Sequence, residues 1–177
     1  HKEYRRQRQM CIRDRLESDL AERILLQLHR CDLSPTRLVL ELTEHSILEP
    51  NSVVWSNLEH LRGAGIRLAL DDFGTGYSSL VLLRTLRPDV VKIDKSFVQA
   101  LYQDPEVLPI IRLIADLAPQ LGLELIAEGI EDRTTRDRLA QLGIGLFQGF
   151  EFGRPRSLQD WLDEAPIASS SASRAIV

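Results

Sequence analysis

The chain has 177 residues, of which 44% are hydrophobic and 27% charged, so it has room for one domain of ordinary size rather than two separate cores. Its 22 Lys and Arg residues against 26 Asp and Glu give a net charge of −4. This acidic balance argues against a protein that binds a nucleic-acid polymer by neutralising its phosphates.

The two ends of the chain differ in composition from the rest. Residues 1–15 hold six basic and two acidic side chains, a balance of +4 that leaves −8 for residues 16–177. They show no apolar periodicity, so we interpret them as a basic head outside the domain, either a disordered arm or a foreign translated segment. We place a partial domain at residues 16–165 and a disordered tail at residues 166–177, which is rich in Ala and Ser.

Cysteine content and hydropathy indicate where in the cell the protein is expected to act. Cys11 and Cys31 form no disulfide framework, and nothing resembles a signal peptide, so a reducing cytoplasm is expected. Charges interrupt every apolar run before it reaches the roughly 20 residues that a membrane-spanning helix needs. We therefore expect no membrane segment in this chain, although a longer parent could carry an anchor upstream.

The predicted elements alternate along the chain. An amphipathic helix over 16–28 is followed by short apolar runs at 38–40, 68–70, 90–91, 125–127 and 146–147, with helical patterns between them, most clearly over 107–121. Runs without polar alternation indicate strands buried on both faces, which is typical of a parallel sheet covered by helices. Pro109 and Pro119 are expected to kink or shorten the helix over 107–121. An open sheet and part of a β/α barrel both fit, and a complete barrel takes about 250 residues.

Polar side chains follow each predicted strand. In chain order they are Glu41 and Glu44, Asp71 and Asp72, Lys92 and Asp94, Glu128, and Gln148. The carboxyl ends of parallel strands lie on one side of the sheet, so these groups are expected to converge on one active-site mouth.

Several carboxylates in one cleft repel one another unless a cation lies among them. Oxygen ligands without a Cys or His cluster favour Mg²⁺ or Mn²⁺ over Zn²⁺. Lys92 would add a positive charge suited to an anionic substrate, and this combination is typical of phosphate-ester hydrolysis.

Each residue also has a plainer interpretation. The pair Asp71 and Asp72 could cap a turn or helix, Lys92 and Asp94 could form a structural ion pair, and Glu128 could be an ordinary solvated residue. Five strands that all end in this way favour a metal site jointly.

At these residues the sequence resembles the EAL-domain family, bacterial phosphodiesterases that hydrolyse cyclic di-GMP. The matching segments are 41–44, 71–79, 91–97, 127–131 and 148–155. The resemblance implies an α/β fold, the family's modified (β/α) TIM-type barrel with about five of its eight strands present. It implies hydrolysis of one phosphodiester to give linear pGpG with two Mg²⁺ or Mn²⁺ ions in the intact site.

The resemblance also implies roles for single residues. Glu41, Asp71, Asp72 and Glu128 would be metal ligands, and Glu128 and Lys92 would be catalytic, with Lys92 holding the attacking water or the phosphate. The residues expected to line the site and order water and substrate are Asp94, Glu131 and Gln148. Glu44 would anchor the loop 73–79, with Phe73, Gly74, Thr75 and Gly76, which in the family couples the site to a homodimer interface.

The sequence departs from the family's pattern at two places. The name-giving Glu-Ala-Leu segment, with its metal-binding Glu and a nearby Arg for substrate, is missing, and no Asn occurs around Gln9, where the family's metal-ligating Asn would fall. We therefore expect weak metal affinity, exposed sheet edges near Leu38 and Leu146, self-association or poor stability, and little activity of this chain alone. Two alternatives stay open, an inactive EAL domain that senses cyclic di-GMP or binds a protein partner, and a structural fragment without a ligand.

Overall fold

The computed structural model describes residues 18–43, 52–74 and 79–155, together with residues 157 and 160. The predicted basic head, the predicted tail and the first residues of the helix expected from Leu16 lie outside the described residues. Glu44, Thr75 and Gly76 lie outside them as well.

Helices and strands alternate through the described residues, except that two helices lie between the third and fourth strands. The helices are α1 (Leu20–Arg30), α2 (Ser52–Gly63), α3 (Ser79–Leu86), α4 (Lys95–Ala100), α5 (Val107–Leu121) and α6 (Arg133–Ala140). The strands are β1 (Val39–Thr43), β2 (Arg67–Phe73), β3 (Val90–Ile93), β4 (Glu124–Ala127) and β5 (Leu146–Phe147).

The five strands form one sheet in the order β1-β2-β3-β4-β5, and every neighbouring pair is parallel. This confirms the predicted parallel α/β fold. The described sheet has its two edges at β1 and β5, as expected for the regions of Leu38 and Leu146.

The strands extend further than their apolar runs. Glu41 lies inside β1, Asp71 and Asp72 lie inside β2, and Lys92 lies inside β3, whereas Glu128 and Gln148 follow their strands. The expectation that all of these residues follow the strands is wrong for the first four, because backbone pairing with the neighbouring strand continues past the last apolar residue.

Helix α5 runs over 15 residues and includes Pro119, so the prolines do not shorten it. Pro109 lies in its first turn, where the backbone N–H has no partner within the helix, and Pro119 lies in its last turn. Gly122 caps the end of the helix, and its φ of 68° is the left-handed conformation that glycine adopts readily.

Apolar side chains cover the sheet on both faces. The larger core lies between the sheet and the helices and includes Leu68, Leu70, Ile93 and Ile111, all essentially inaccessible to solvent. A smaller layer on the other face consists of Ala69, Val90 and Ile126, with Leu146 packed against it. Burial on both faces explains why the central strands lack polar alternation. No helix among the described residues is long and apolar enough to cross a membrane.

Candidate active site

The site lies on the sheet face that carries the smaller apolar layer. Side chains alternate between the two faces of a strand, so residues two positions apart share a face. Two positions beyond the apolar residues Ala69, Val90, Ile126 and Leu146 stand Asp71, Lys92, Glu128 and Gln148. The alternation therefore assigns these four residues to the face of the apolar layer, at the carboxyl ends of their strands.

Lys92 is the centre of this group. Its Nζ lies 3.1 Å from Oε2 of Glu41, 3.1 Å from Oδ1 of Asp71 and 2.6 Å from Oε1 of Glu128. The Lys92 side chain is only 6% exposed, and those of Asp71 and Glu128 are 20% and 18% exposed, whereas that of Glu41 is 53% exposed. One ammonium group thus joins carboxylates from β1, β2 and the end of β4.

These partners stabilise the charged form of Lys92. Burial by itself would lower the pKa of the ammonium group, because it removes water from the charged form. The hydrogen bond to Glu128 and the charges of Asp71, Glu128 and Glu41 outweigh burial, so the pKa of Lys92 lies above its ordinary value. Lys92 is therefore a permanent cation at physiological pH.

Glu128 has a pKa above the ordinary value for glutamic acid. Burial is the main cause, and the hydrogen bond and charge of Lys92 oppose it, while the charges of Asp71 and Glu41 add to it. The neutral form of Glu128 is thus favoured more than in water, and this carboxyl group exchanges its proton closer to neutral pH.

The pair Asp71 and Asp72 lies at an irregularity of β2. Leu70 pairs with Val91 and Phe73 with Ile93, so β2 advances three residues where β3 advances two. Asp72 has a φ of 55°, and its backbone N–H donates to Oδ1 of Asp71 at 3.1 Å. This β-bulge interrupts the strict alternation that would send adjacent side chains to opposite faces. Both residues of the pair lie within β2.

Asp94 caps the helix that follows β3. Its Oδ1 accepts a hydrogen bond from the backbone N–H of Ser96 at 2.8 Å and caps the start of α4. The structural ion pair considered between Lys92 and Asp94 is wrong, since Lys92 pairs with Glu41, Asp71 and Glu128 instead. A role of Asp94 in lining the site stays a prediction.

Four further predicted site residues are Glu131, Gln148, Phe73 and Gly74. Glu131 is exposed and Gln148 partly buried, and neither side chain has a hydrogen bond or ion pair with another described residue. The backbone of Gln148 is fixed, because its N–H donates to the carbonyl of Ala127 at 2.9 Å. Phe73 is buried at the end of β2, and Gly74 follows it with a φ of 104°.

The donor atoms of the site are carboxylate oxygens, the type that Mg²⁺ and Mn²⁺ prefer. Among the residues that the structure describes, no three acidic, His or Cys side chains converge on a common point with the geometry of a ready ion site. The carboxylates converge on the ammonium of Lys92 instead. The residue types fit a divalent cation, whereas a complete ligand shell is not formed by the described residues alone.

The sequence matches the family model of the EAL domain over residues 12–155, which is most of the chain. The chain belongs to the EAL domain family. The predicted resemblance is thereby confirmed.

Relatives and solved EAL domains agree with this assignment. The chain is 36% identical over 145 residues to a probable cyclic di-GMP phosphodiesterase, PdeA of Escherichia coli, an alignment that spans 82% of this chain and 20% of that protein. It superposes on the PaMucR phosphodiesterase in complex with cyclic di-GMP with a TM-score of 0.78 and 33% identity, over 86% of this chain and 62% of that one. A manganese and cyclic di-GMP complex of BlrP1 from Klebsiella pneumoniae matches with a TM-score of 0.74 and 34% identity, over 78% of this chain and 36% of that one.

The chain thus spans about a fifth of the length of PdeA and less than two thirds of the solved PaMucR chain. The five parallel strands correspond to part of the barrel of such EAL domains, which confirms the predicted partial β/α barrel.

The structure of this EAL chain adds contacts that sequence reasoning missed. The backbone of Gly129, next to Glu128, approaches Lys95 so closely that a Cβ on Gly129 would lie 2.5 Å from the Cβ of Lys95. A glycine directly after a functional carboxylate is a signal in the sequence for such an approach.

Proposed function

We propose that this chain supplies part of the active site for metal-dependent hydrolysis of cyclic di-GMP to linear pGpG. The names of the relatives support the reaction, since PdeA is a probable cyclic di-GMP phosphodiesterase and PaMucR is a phosphodiesterase solved with this ligand. The convergence of Glu41, Asp71 and Glu128 on Lys92 also supports this reaction, because it brings acidic groups and a cation together.

The charge balance around Lys92 carries the proposal. Three carboxylates surround one ammonium group, so the ionised cluster has a net charge of −2, and the side chains of Lys92, Asp71 and Glu128 in it are largely buried. Like charges at this density raise the free energy of the folded state unless a further cation binds. A divalent cation has the charge that would neutralise the cluster.

We assign Glu41, Asp71, Asp72 and Glu128 as the residues of this chain that would hold Mg²⁺ or Mn²⁺. The manganese complex of BlrP1 supports the choice of ion. When bound, such an ion would supply Lewis-acid stabilisation of the negative charge on the phosphoryl oxygens.

Lys92 and Glu128 would act on the water and the phosphate. The permanently charged Nζ of Lys92 would bind a phosphate oxygen or hold the attacking water. Glu128, whose pKa is raised, would accept the proton of that water at a carboxylate oxygen. Asp94, Glu131 and Gln148 would order the water and substrate.

We propose further that the whole protein forms a homodimer through the region of the loop 73–79. Glu44 would anchor this loop, and Phe73, Gly74, Thr75 and Gly76 would couple the interface to the site. Leu80 and Leu113 support this, because they are 67% and 66% exposed and line one wholly apolar cavity of about 140 Å³ beside Phe73. Such an exposed apolar surface is typical of an interface. Cys31 has no disulfide partner among the residues that the structure describes, which agrees with action in the reducing cytoplasm.

The decisive experiment measures conversion of cyclic di-GMP to pGpG with Mg²⁺ or Mn²⁺, using this chain and a longer chain that carries the upstream part of the domain. Hydrolysis by the longer chain, lost in Glu128→Gln, is expected. Binding of cyclic di-GMP without hydrolysis would favour a sensor, and neither binding nor hydrolysis would overturn the proposal. Asp116→Asn, the same kind of change on an exposed position of α5, serves as the control.

A further inference from the structure

The short helix α4 begins directly after β3, the strand that carries Lys92. Backbone hydrogen bonds join the end of β3 and the residue before α4 to residues at the ends of both neighbouring strands. The N–H of Asp94 donates to the carbonyl of Phe73 at 3.5 Å, and the N–H of Glu128 donates to the carbonyl of Ile93 at 3.1 Å. The junction between β3 and α4 is thus hydrogen-bonded to Phe73, next to Asp72, on one side and to Glu128 on the other.

Close packing against a glycine fixes the first of these sides. Gly74 has a φ of 104°, and a Cβ on it would lie 2.6 Å from Cε2 of Phe97. The ring of Phe97 therefore lies directly against the backbone that follows Asp71 and Asp72. Only glycine leaves room for a ring at this distance.

A second glycine fixes the other side. Gly129 has a φ of 68°, and a Cβ on it would lie 2.5 Å from Cβ and 3.3 Å from Cα of Lys95. Lys95 and Phe97 belong to the same turn of α4, whose start is capped by Asp94. One rigid turn therefore separates the chain after Asp72 from the chain after Glu128.

We infer that Phe97 is a positioning residue, which holds Asp71 and Glu128 at the separation that lets both reach Lys92. The inference deepens the proposed function and rests on it for its catalytic meaning. Phe97 acts through the backbone of Gly74, against which its ring packs. Loss of the ring would leave the backbone at Gly74 free to move relative to Glu128.

The test uses the full chain and the ammonium group of Lys92 as a probe. The sequence contains three lysines, Lys2, Lys92 and Lys95, so selective ¹⁵N and ¹³C labelling of lysine gives three side-chain signals in an NMR spectrum. In the wild type the buried Lys92 is expected to give a shifted, slowly exchanging signal. In Phe97→Ala this signal should move to the position of an exposed lysine and lose its slow exchange.

Two further variants separate positioning from general destabilisation. Val98→Ala removes a buried side chain from the same helix and is expected to lower the melting temperature while the Lys92 signal stays in place. Phe97→Leu keeps apolar bulk and should restore part of the signal, and it replaces Phe97→Ala if that variant does not fold. An unchanged Lys92 signal in the Phe97 variants, or an equal change in Val98→Ala, would overturn the inference.

The outcome is independent of the proposed reaction, because the Lys92 signal requires neither metal nor substrate. If the signal responds as expected while the longer chain does not hydrolyse cyclic di-GMP, the positioning role stands and the proposed function fails. If hydrolysis occurs and the signal does not respond, the proposed function stands and Phe97 has no positioning role.

Discussion

Nζ of Lys92 lies 2.6 Å from Oε1 of Glu128, although the two residues are separated in the chain by the whole of α4 and α5. Parallel pairing of β3 with β4 brings them together, since Ile93 pairs with Ala127, the residue before Glu128. The ion pair is therefore a product of strand register, and Asp71 and Glu41 extend it across β2 to β1. Lys92 links four strands through side chains on one face.

Replacing Lys92 by Met should destabilise the fold strongly. The variant leaves three carboxylates without their shared cation, and loss of one partner from a buried pair costs about 3 kcal/mol or more. Chemical denaturation at neutral pH measures the change. Lys95→Met, which removes the same charge from an exposed position, should change the free energy of unfolding little. Equal stability of both variants would show that the Lys92 cluster does not stabilise the fold.

The free energy of unfolding of Glu128→Gln should rise relative to that of the wild type as the pH rises. The pKa of Glu128 is higher in the folded state than its ordinary value of 4.5, so the folded state binds the proton more tightly than the unfolded state. Its stabilising contribution is present below the ordinary value and is lost as the pH rises through the folded-state pKa. Gln resembles the protonated form and does not suffer this loss.

Denaturation curves of both proteins at about pH 4 and about pH 7 measure this difference in free energy. The raised pKa of Glu128 would be contradicted if this difference were the same at both pH values, or if Glu128→Gln were less stable relative to the wild type at the higher pH. Lys92 does not interfere over this range, because its pKa is raised and its contribution is lost only at strongly alkaline pH.

Mn²⁺ should raise the melting temperature of the chain at neutral pH. A ligand that binds only the folded state stabilises it by about 2.7 kcal/mol at a concentration 100 times its Kd. The effect should disappear in Asp71→Asn and persist in Asp116→Asn. Because the ligands must be ionised and the pKa of Glu128 is raised, the effect should weaken with acidification at a higher pH than for an ordinary glutamate. A shift of equal size in both variants would indicate binding elsewhere.

The edge of the described sheet at β1 should promote self-association. Val39 is 40% exposed in this edge strand, and an exposed apolar edge pairs readily with another chain. Val39→Lys should shift the chain toward the monomer in sedimentation velocity experiments over a range of concentrations, whereas Val39→Thr should not. No change with the lysine variant would exclude the β1 edge as the contact.

A dimer that forms through the surface of Leu80 and Leu113, and not through the β1 edge, should respond to a substitution of Leu113. Leu113→Glu places a charge on a side chain that is 66% exposed, so it should weaken a dimer at this surface without loss of helical circular dichroism. Leu26→Glu is the control, because Leu26 is 47% exposed on α1 and is not part of this surface. Equal effects of both variants would argue against a specific interface.

Much of this EAL chain could be predicted from local patterns. The apolar runs predicted all five strands, and the helical pattern over 107–121 coincides with α5. A period of two places Asp71, Lys92 and Glu128 on one face of a parallel sheet once the strands are assigned. The residue types indicated oxygen ligands and an anionic substrate, and the quoted segments identified the family.

Only the tertiary structure decided which side chains meet. The place of Lys92 among three carboxylates depends on the register between strands that are distant in the chain, and no local pattern fixes that register. The bulge at Asp71 and Asp72, the cap formed by Asp94 and the packing of Phe97 on Gly74 likewise depend on how β2, β3 and α4 pack. Sequence periodicity determines the face on which a side chain stands, whereas packing between distant segments determines its partners.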